Sequence, residues 1–193
     1  MKEGKRVYVK VPEILQTPEL PTGCESVALT IDLVSMGYEL EKTDIMKNYL
    51  EIGTDMATSY VGDPYSQKGA GCFPPAITMA ANKFLEEKND DRRAYNITGT
   101  PIDELRQYIE NGSPVILWSS MYMANPTKAG AVYTYPGQSY AWDRSEHCVV
   151  LYGYDEAKDV YLVSDPLNGL VERDAAAFQR IYDEIGQYAV VIY

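Results

Sequence analysis

Three residues of the chain have side chains that suit thiol chemistry: Cys24, His147 and Asp165. Cys24 stands in the stretch TGCE, just before an apolar segment, and His147 is the only histidine among the 193 residues. Asp165 ends the run DVYLVSD. A thiol that attacks a carbonyl needs a base to take its proton and a third polar group to orient that base. The order Cys, His, Asp supplies these types, and we treat the three residues as a candidate catalytic triad.

The segment around Cys24 predicts a helix start. TGCE matches a capping box, in which Thr22 accepts a hydrogen bond from the first turn and Glu25 reaches back. Apolar residues then recur at helical spacing up to Gly37, and they include Val27, Ala28, Ile31 and Val34. Cys24 would lie in the first turn, where free amides and the helix dipole lower the pKa of a thiol. The alternative is a small buried residue, as most free cysteines are.

His147 and Asp165 are predicted to meet across a hairpin. The runs HCVVLYGYD and DVYLVSD are typical of strands, and the turn DEAKD at 155–159 lies midway between the two residues. Asp165 would then accept from one imidazole nitrogen and leave the other facing a thiol. Strand side chains alternate faces, so Cys148 should point away from His147. The alternatives are a surface histidine and an aspartate that only shapes a turn before proline.

The other segments divide the chain into a helical part and a part rich in strands. Thr100, Pro101 and Gly112 predict the cap, the first position and the stop of one helix. The predicted helices are EKTDIMKNYL (about 41–51), PAITMAANKFLEEK, TPIDELRQYIENG and DAAAFQRIYDEIG. The further predicted strands are PVILW, YAVVIY and the first part of RVYVKVPEILQ, which then runs into a loop. The segment VGDPYSQKGAGCFPP is interpreted as a loop. This segregation predicts an α+β fold with an antiparallel sheet packed against helices.

Residues 119–146 form a connection without predicted secondary structure. Connections of this length are uncommon unless they are functional. It carries aromatic residues that could wall a substrate groove: Tyr122, Tyr133, Tyr135, Tyr140 and Trp142. The alternative is a hairpin excursion with no special role.

Composition narrows the classes of function. The net charge of −11 and the pI of about 4.5 argue against nucleic acid and anionic membrane surfaces as partners. No apolar run is long enough to span a membrane, so we expect no membrane insertion. The opening MKEGKRVYVK lacks the apolar core of a signal peptide. We therefore expect either a cytoplasmic protein or a mature chain whose export signal has been removed.

The three cysteines leave two other possibilities open. Their odd number argues against a disulfide framework, although Cys72 and Cys148 could pair in an exported protein. A zinc site made from the cysteines and His147 fits no compact ligand spacing, and His147 and Cys148 should point apart. We predict no metal and no other cofactor.

The chain resembles the papain-like cysteine peptidase superfamily, and within it the free-standing bacterial relatives of the peptidases that process bacteriocin leaders at double-glycine motifs. The resemblance covers about residues 10–193 and is carried by the stretches QTPELPTGCESVAL, KGAGCFPPAITMAANKF, NGSPVILW, HCVVLYGYD and YLVSDPLNG. It implies an N-terminal helical lobe that carries the cysteine helix, packed on a C-terminal antiparallel sheet. We expect one domain over residues 1–193, helical over about 12–112 and sheet over about 113–193.

The resemblance also implies a role for each site residue. Cys24 matches the nucleophile, His147 the general base and Asp165 the orienting residue. Gln16, eight positions before Cys24 where many relatives have six, matches the glutamine whose amide binds the oxyanion, with the Cys24 backbone amide as a second donor. The alternative for Gln16 is an exposed loop residue.

These roles predict a thiol hydrolase that acts on a peptide or protein substrate through a covalent acyl-enzyme and needs no cofactor. Two alternatives remain. One is a catalytically degenerate domain that binds a protein or peptide, which the acidic charge and the 17 tyrosines would suit. The other is a peptidyl or acyl transferase. The resemblance favours a bacterial protein that is exported or attached to the cell surface, and a cytoplasmic protein is the alternative.

Overall fold

The computed structural model describes residues 4–193, except for the side chains of Lys128 and Ala129, so the first three residues of the predicted domain lie outside it. The elements follow the chain in this order: β1 (Arg6–Tyr8), α1 (Cys24–Ser35), α2 (Asp44–Asn48), β2 (Ile52–Gly53), β3 (Tyr60–Asp63), β4 (Lys68–Gly71), α3 (Pro74–Glu87), β5 (Ala94–Asn96), α4 (Ile102–Glu110), β6 (Val115–Ser120), a 3-10 turn (Met121–Met123), β7 (Lys128–Tyr135), β8 (Gln138–Asp143), β9 (Glu146–Asp155), β10 (Val160–Asp165), β11 (Gly169–Asp174), α5 (Ala175–Ile185) and β12 (Ala189–Ile192).

A seven-stranded antiparallel sheet forms the centre of the fold. Its order is β11-β10-β9-β6-β12-β5, and β1 pairs with β9. The core strands are buried on both faces, which explains why their sequences are continuous apolar runs. Helices α1 and α3 pack on one face and α4 on the other, and α5 contributes side chains to the apolar clusters of both faces. The predicted α+β fold with an antiparallel sheet is confirmed, although β1 and β5 join that sheet from the first half of the chain.

Alternation along β9 sorts its side chains between the two layers. Cys148 and Val150 belong to the apolar cluster with α1 and α3, whereas Val149 and Leu151 belong to the cluster with α4 and α5. The predicted direction of Cys148 is therefore confirmed. Strand β9 is the central element for the site, because it contacts β6 and β10 on its two sides and α1 on one face.

Helix α1 begins at Cys24, which therefore lies in the first turn as predicted, but the N-cap is Gly23 and the predicted capping box at Thr22 is wrong. No side chain caps the first turn. Thr22 donates instead to the carbonyl of Ser66 at 2.9 Å, and Glu25 accepts from the amide of Cys72 at 2.9 Å. Both side chains thus connect the helix start to the segment around β4, and these tertiary contacts replace the local cap.

Three other local predictions are wrong. Helix α2 spans only Asp44–Asn48, not 41–51. The glycine-rich segment around Gly62 and Gly71 is not a loop, because β3 and β4 pair there in a hairpin with a bulge. Glycine suits this hairpin, since both residues have positive φ, +94° and +111°. Thr100 does not cap α4, and its hydroxyl donates to the carbonyl of Ile97.

The long connection between β6 and β9 is a hairpin made of β7 and β8. Strand β8 is attached to the core by Tyr140, which is buried and stacks on Phe73 with ring centroids 5.2 Å apart.

Strand β11 was not predicted, and it pairs with β10 beyond the candidate aspartate. Within residues 4–193, no helix combines the length and the apolar character needed to cross a bilayer.

Candidate active site

Cys24 lies where the start of α1 meets strand β9. The backbone amide of Cys148 donates to Cys24 Sγ at 3.4 Å, so the sulfur lies against the residue that follows His147. Cys24 is partly buried, and both Cys24 and His147 line one cleft of about 400 Å³. The packing of α1 on β9 therefore brings the first two candidate residues to one place, although 123 positions separate them in the sequence.

His147 and Asp165 meet through the hairpin of β9 and β10. Strand β9 ends at Asp155 and β10 begins at Val160, which matches the predicted turn. A bulge between Leu162 and Val163 shifts the register before the strand ends. His147 Nε2 then lies 2.7 Å from Asp165 Oδ1, and both residues are buried. Because Nε2 is held by Asp165, the other ring nitrogen, Nδ1, is left for a different partner.

Asp165 is held by donors on every side. Its Oδ1 accepts from the amide of Leu167 at 2.9 Å, and its Oδ2 accepts from Asn168 Nδ2 and Arg173 Nη2, both at 2.8 Å. Burial alone would raise the pKa of Asp165, but the hydrogen bonds from His147, Asn168 and the Leu167 amide hold the pKa well below its usual value. The carboxylate is therefore ionised and fixed in position. Asn168 and Arg173 were not predicted as site residues, and the turn-forming stretch DPLNG was the available signal for the first of them.

Gln16 also lines the cleft, and its alternative as an exposed loop residue is wrong. Its relative exposure is 2%. Its side-chain Nε2 donates to the carbonyl of Pro21 at 2.7 Å, which fixes the amide just before α1. An amide nitrogen has two hydrogens, so one N–H remains for another acceptor.

Two glutamates that the sequence analysis did not select as site residues also belong to the site. Glu25 and Glu146 line the cleft beside Cys24 and His147. The Cys24 thiol donates to Glu25 Oε2 at 3.4 Å. Glu25 follows Cys24 in the stretch GCE, and Glu146 precedes His147 in the stretch EHC. This adjacency was the only signal in the sequence.

Burial, together with these carboxyls, reverses the expected shift of the thiol pKa. Burial raises the pKa of Cys24 well above its usual value, and the negative charge of Glu25 raises it further. The hydrogen bond from the Cys148 amide opposes this shift but is outweighed. The predicted lowering of the Cys24 pKa by the helix start is therefore wrong for the resting site, because removal from water and a carboxylate neighbour exceed the effect of the helix end.

The walls of the cleft come from β4, from the turn after β6 and from β8. Trp142 and Tyr122 line it, and Trp142 Nε1 donates to the carbonyl of Ala70 at 3.2 Å. Of the other tyrosines proposed for a groove, Tyr140 is in the core and Tyr135 does not line the cleft. The fifth aromatic residue, Tyr133, packs against Phe73.

None of the three cysteines forms a disulfide bond. Cys24, Cys72 and Cys148 are all free, so the alternative of a disulfide between Cys72 and Cys148 is wrong for this structure. Burial raises the pKa of Cys72 and Cys148 well above the usual value. Across the described part of the chain, no group of three or more His, Cys, Asp or Glu residues is arranged to hold a metal ion.

Comparison with solved structures identifies the fold. A Bacillus anthracis protein provisionally described as a C39-like peptidase aligns over 98% of both chains, with a TM-score of 0.82 and 24% identity. A double glycine motif protease from an AMS/PCAT transporter, solved with its leader peptide, has a TM-score of 0.52 and 16% identity over 99% of this chain and 96% of its own. The peptidase domain of Streptococcus ComA has a TM-score of 0.55 and 14% identity over 96% and 97%.

Comparison of sequences gives the family. The Bacillus subtilis (strain 168) protein YvpB, itself uncharacterized, is 29% identical over 190 residues, which cover 92% of this chain and 72% of YvpB. The model of the Peptidase_C39 like family matches residues 8–190, nearly the whole chain. The chain therefore belongs to the Peptidase_C39-like family and has the fold of the papain-like cysteine peptidases.

Proposed function

We propose that this protein is a thiol hydrolase that cleaves a peptide or amide bond through Cys24, His147 and Asp165. The observation that carries the proposal is the meeting of three chain segments at one cleft. Cys24 Sγ lies 3.4 Å from the amide of Cys148, and the preceding residue, His147, lies 2.7 Å from Asp165. Membership in the Peptidase_C39-like family supports the same class of reaction.

In the proposed mechanism, His147 acts through Nδ1, because Nε2 is held by Asp165. His147 takes the thiol proton of Cys24 as the sulfur attacks the substrate carbonyl carbon. The negative oxygen that forms is stabilised by the free N–H of the Gln16 amide and by the backbone amide of Cys24, which has no acceptor within the helix. His147 then protonates the leaving amine, and water releases the acyl group from the sulfur.

The raised pKa of the thiol bears on when this step occurs. Because burial and Glu25 keep Cys24 protonated at rest, transfer of the proton to His147 has to accompany substrate binding. Asp165 supports the transfer, since its fixed negative charge stabilises the imidazolium that results.

The raised pKa of the Cys24 thiol also favours a second candidate function, a peptide-binding domain without turnover. A thiol that stays protonated beside a carboxylate is a poor nucleophile. In that case the cleft would bind a peptide segment and release it intact. A peptidyl or acyl transferase is a variant of the first candidate, in which an amine replaces water.

A peptide-library cleavage screen tests the proposal. The parent protein, Cys24→Ala and Cys72→Ala are incubated with the library, and new termini are identified by mass spectrometry. Cys72 is a matched control, since it is also a free cysteine but lies in the core. We expect cleavage by the parent and Cys72→Ala and none by Cys24→Ala. Cleavage that Cys24→Ala retains in full would exclude the mechanism.

Two outcomes separate the alternatives. Bound but uncleaved peptides recovered with the parent protein would favour the binding domain. Joined products that appear only after an amine is added would favour the transferase.

A further inference from the structure

Two carboxyl groups beside Cys24 have no task in the proposed reaction. Glu25 follows Cys24 in α1, and Glu146 precedes His147 in β9. Both converge on Gly71 of β4: a Cβ built on Gly71 would collide with Glu25 Oε1 and lie 3.0 Å from Glu146 Oε1. Three separate elements thus bring the two carboxyls together at the wall of the cleft.

Glu146 lacks the partners that a buried carboxyl needs. Each of its oxygens exposes less than 1 Å², and neither accepts a hydrogen bond of normal geometry among residues 4–193. The Trp142 indole, which donates to the carbonyl of Ala70, lowers the pKa of Glu146 by less than burial raises it. Glu25 is better satisfied, since its oxygens accept from the Cys72 amide and the Cys24 thiol. Burial of an unpartnered carboxylate is costly, and a positive charge placed beside it removes much of that cost.

Among the described residues, positive charge at His147 lowers the pKa of Glu25, but His147 is bonded to Asp165 and pairs with neither glutamate. Within the described residues, neither Glu25 nor Glu146 forms an ion pair with lysine or arginine. Arg144 lines the same cleft, but its side chain is exposed and contacts neither carboxyl as an ion pair. Burial raises the pKa of both glutamates, as expected for carboxyls that lack a counter-ion.

We propose that Glu25 and Glu146 form an acidic subsite that binds a cationic group, an ammonium or a guanidinium, on a substrate residue adjacent to the bond that Cys24 attacks. The inference rests on the proposed function, because it assumes that the scissile bond lies in this cleft. Two carboxyls can accept several hydrogen bonds from one cationic group, and hydrogen bonds between charged groups are the stronger kind. The net charge of −11 also favours the approach of a cationic substrate.

The subsite would link substrate choice to catalysis. The negative charge of Glu25 is one of the causes that keep the Cys24 thiol protonated. A substrate cation beside Glu25 cancels that charge, so the correct substrate makes the thiol easier to deprotonate at the moment it is needed. A neutral substrate would gain neither binding nor this activation.

Binding to the inactive Cys24→Ala protein tests the subsite without requiring turnover. The probes are acetylated pentapeptides of alanine that carry lysine, arginine, norleucine or citrulline at each position in turn, and the same peptides with a free N-terminus. Fluorescence can report binding, because Trp142 lines the cleft. Lysine and arginine test a side-chain cation, and the free N-terminus tests an α-ammonium.

The expected result is a preference of about tenfold or more for one cationic probe over its neutral counterpart, at one position only. Adding Glu146→Gln or Glu25→Gln should reduce that preference to near one, whereas Glu104→Gln should leave it unchanged. Glu104 is a matched control, because it is exposed on α4 on the other side of the sheet. Thermal unfolding of each variant checks the fold, and two independent glutamate variants protect the test against one that fails to fold.

The possible failures separate the subsite from the hydrolase reaction. Equal binding of cationic and neutral probes at every position, or no binding of any probe, would overturn the subsite. So would a preference that both glutamine variants retain. If cationic peptides bind as expected but the protein with Cys24 intact never cleaves them, the subsite stands and the hydrolase proposal fails. If peptides are cleaved without any preference for charge, the hydrolase proposal stands and the subsite fails.

Discussion

Replacement of Asp165 by asparagine tests how the site controls the imidazole. Every group around the Asp165 carboxylate donates a hydrogen bond to it. His147 and the Leu167 amide donate to Oδ1, and Asn168 and Arg173 donate to Oδ2. The NH₂ group of an asparagine at this position has to replace one of the two oxygens. If it replaces Oδ2, its hydrogens point at the donors of Asn168 and Arg173. If it replaces Oδ1 it opposes the Leu167 amide and forces His147 Nε2 to accept, which moves the ring proton to Nδ1.

Both orientations carry a cost that can be given a magnitude. Breaking a buried charge pair typically destabilises a protein by about 3–5 kcal/mol. A proton on Nδ1 prevents that nitrogen from taking the thiol proton, and the wrong tautomer in a comparable triad lowers the rate by about 10⁴-fold. We therefore expect Asp165→Asn to lose stability by a few kcal/mol and to lose nearly all activity.

The pKa of Asp165 gives the pH dependence of the stability effect. Its folded pKa lies below the unfolded value of about 3.9, so the carboxylate stabilises the fold above about pH 4. That contribution is lost as pH falls through the folded pKa. The difference in unfolding free energy between parent and Asp165→Asn should be constant above about pH 5 and shrink in acid.

Denaturant unfolding at several pH values and cleavage of a library-derived peptide measure the two effects. Asp91→Asn is the control, since Asp91 is exposed. A variant of Asp165 with parental stability at pH 7, or with activity within about tenfold of the parent, would refute this reasoning about the carboxylate and the tautomer.

Three other groups give predictions that unfolding or labelling can check. Asp32→Asn should gain stability relative to the parent as pH rises from 4 to 8, by up to about 1.4 kcal/mol per pH unit, because burial raises the folded pKa of Asp32 well above its unfolded value; thermal unfolding at both pH values measures it. Gly71→Ala should destabilise the protein by more than Gly137→Ala, because both have positive φ but only Gly71 has an oxygen in the way; equal melting temperatures would contradict this. Glu25→Gln should shift iodoacetamide labelling of Cys24 to lower pH, with Cys72 and Cys148 replaced by serine; an unchanged profile would show that Glu25 does not act on the thiol.

The long-range geometry of the site could be predicted where local patterns were strong. The β-branched runs that contain His147 and Asp165 have a turn midway between them. A hairpin with that turn brings the two residues together, and β9 and β10 pair in this way. Helix α1 was recognisable from its apolar spacing, so Cys24 was correctly placed in the first turn. These features depend on periodicity and on turn position, which a single sequence contains.

Other features depend on contacts that no local pattern encodes. Thr22 and Glu25 form a plausible capping box, but the structure uses both to bind the segment around β4. Glu146 becomes a neighbour of Glu25 only when β9 packs against α1. The pKa of Cys24 was predicted in the wrong direction for the same reason, since the helix start is local and the burial that outweighs it is tertiary.

The central claim is that Cys24 forms a covalent bond with the substrate. The most direct measurement is an acid quench during steady-state turnover of a cleaved peptide, followed by digestion and tandem mass spectrometry. The proposed mechanism predicts an acyl group, of the mass of the N-terminal product, on the sulfur of Cys24 and on neither Cys72 nor Cys148. Turnover at the parental rate by Cys24→Ala, with no acylated cysteine in the parent, would contradict it.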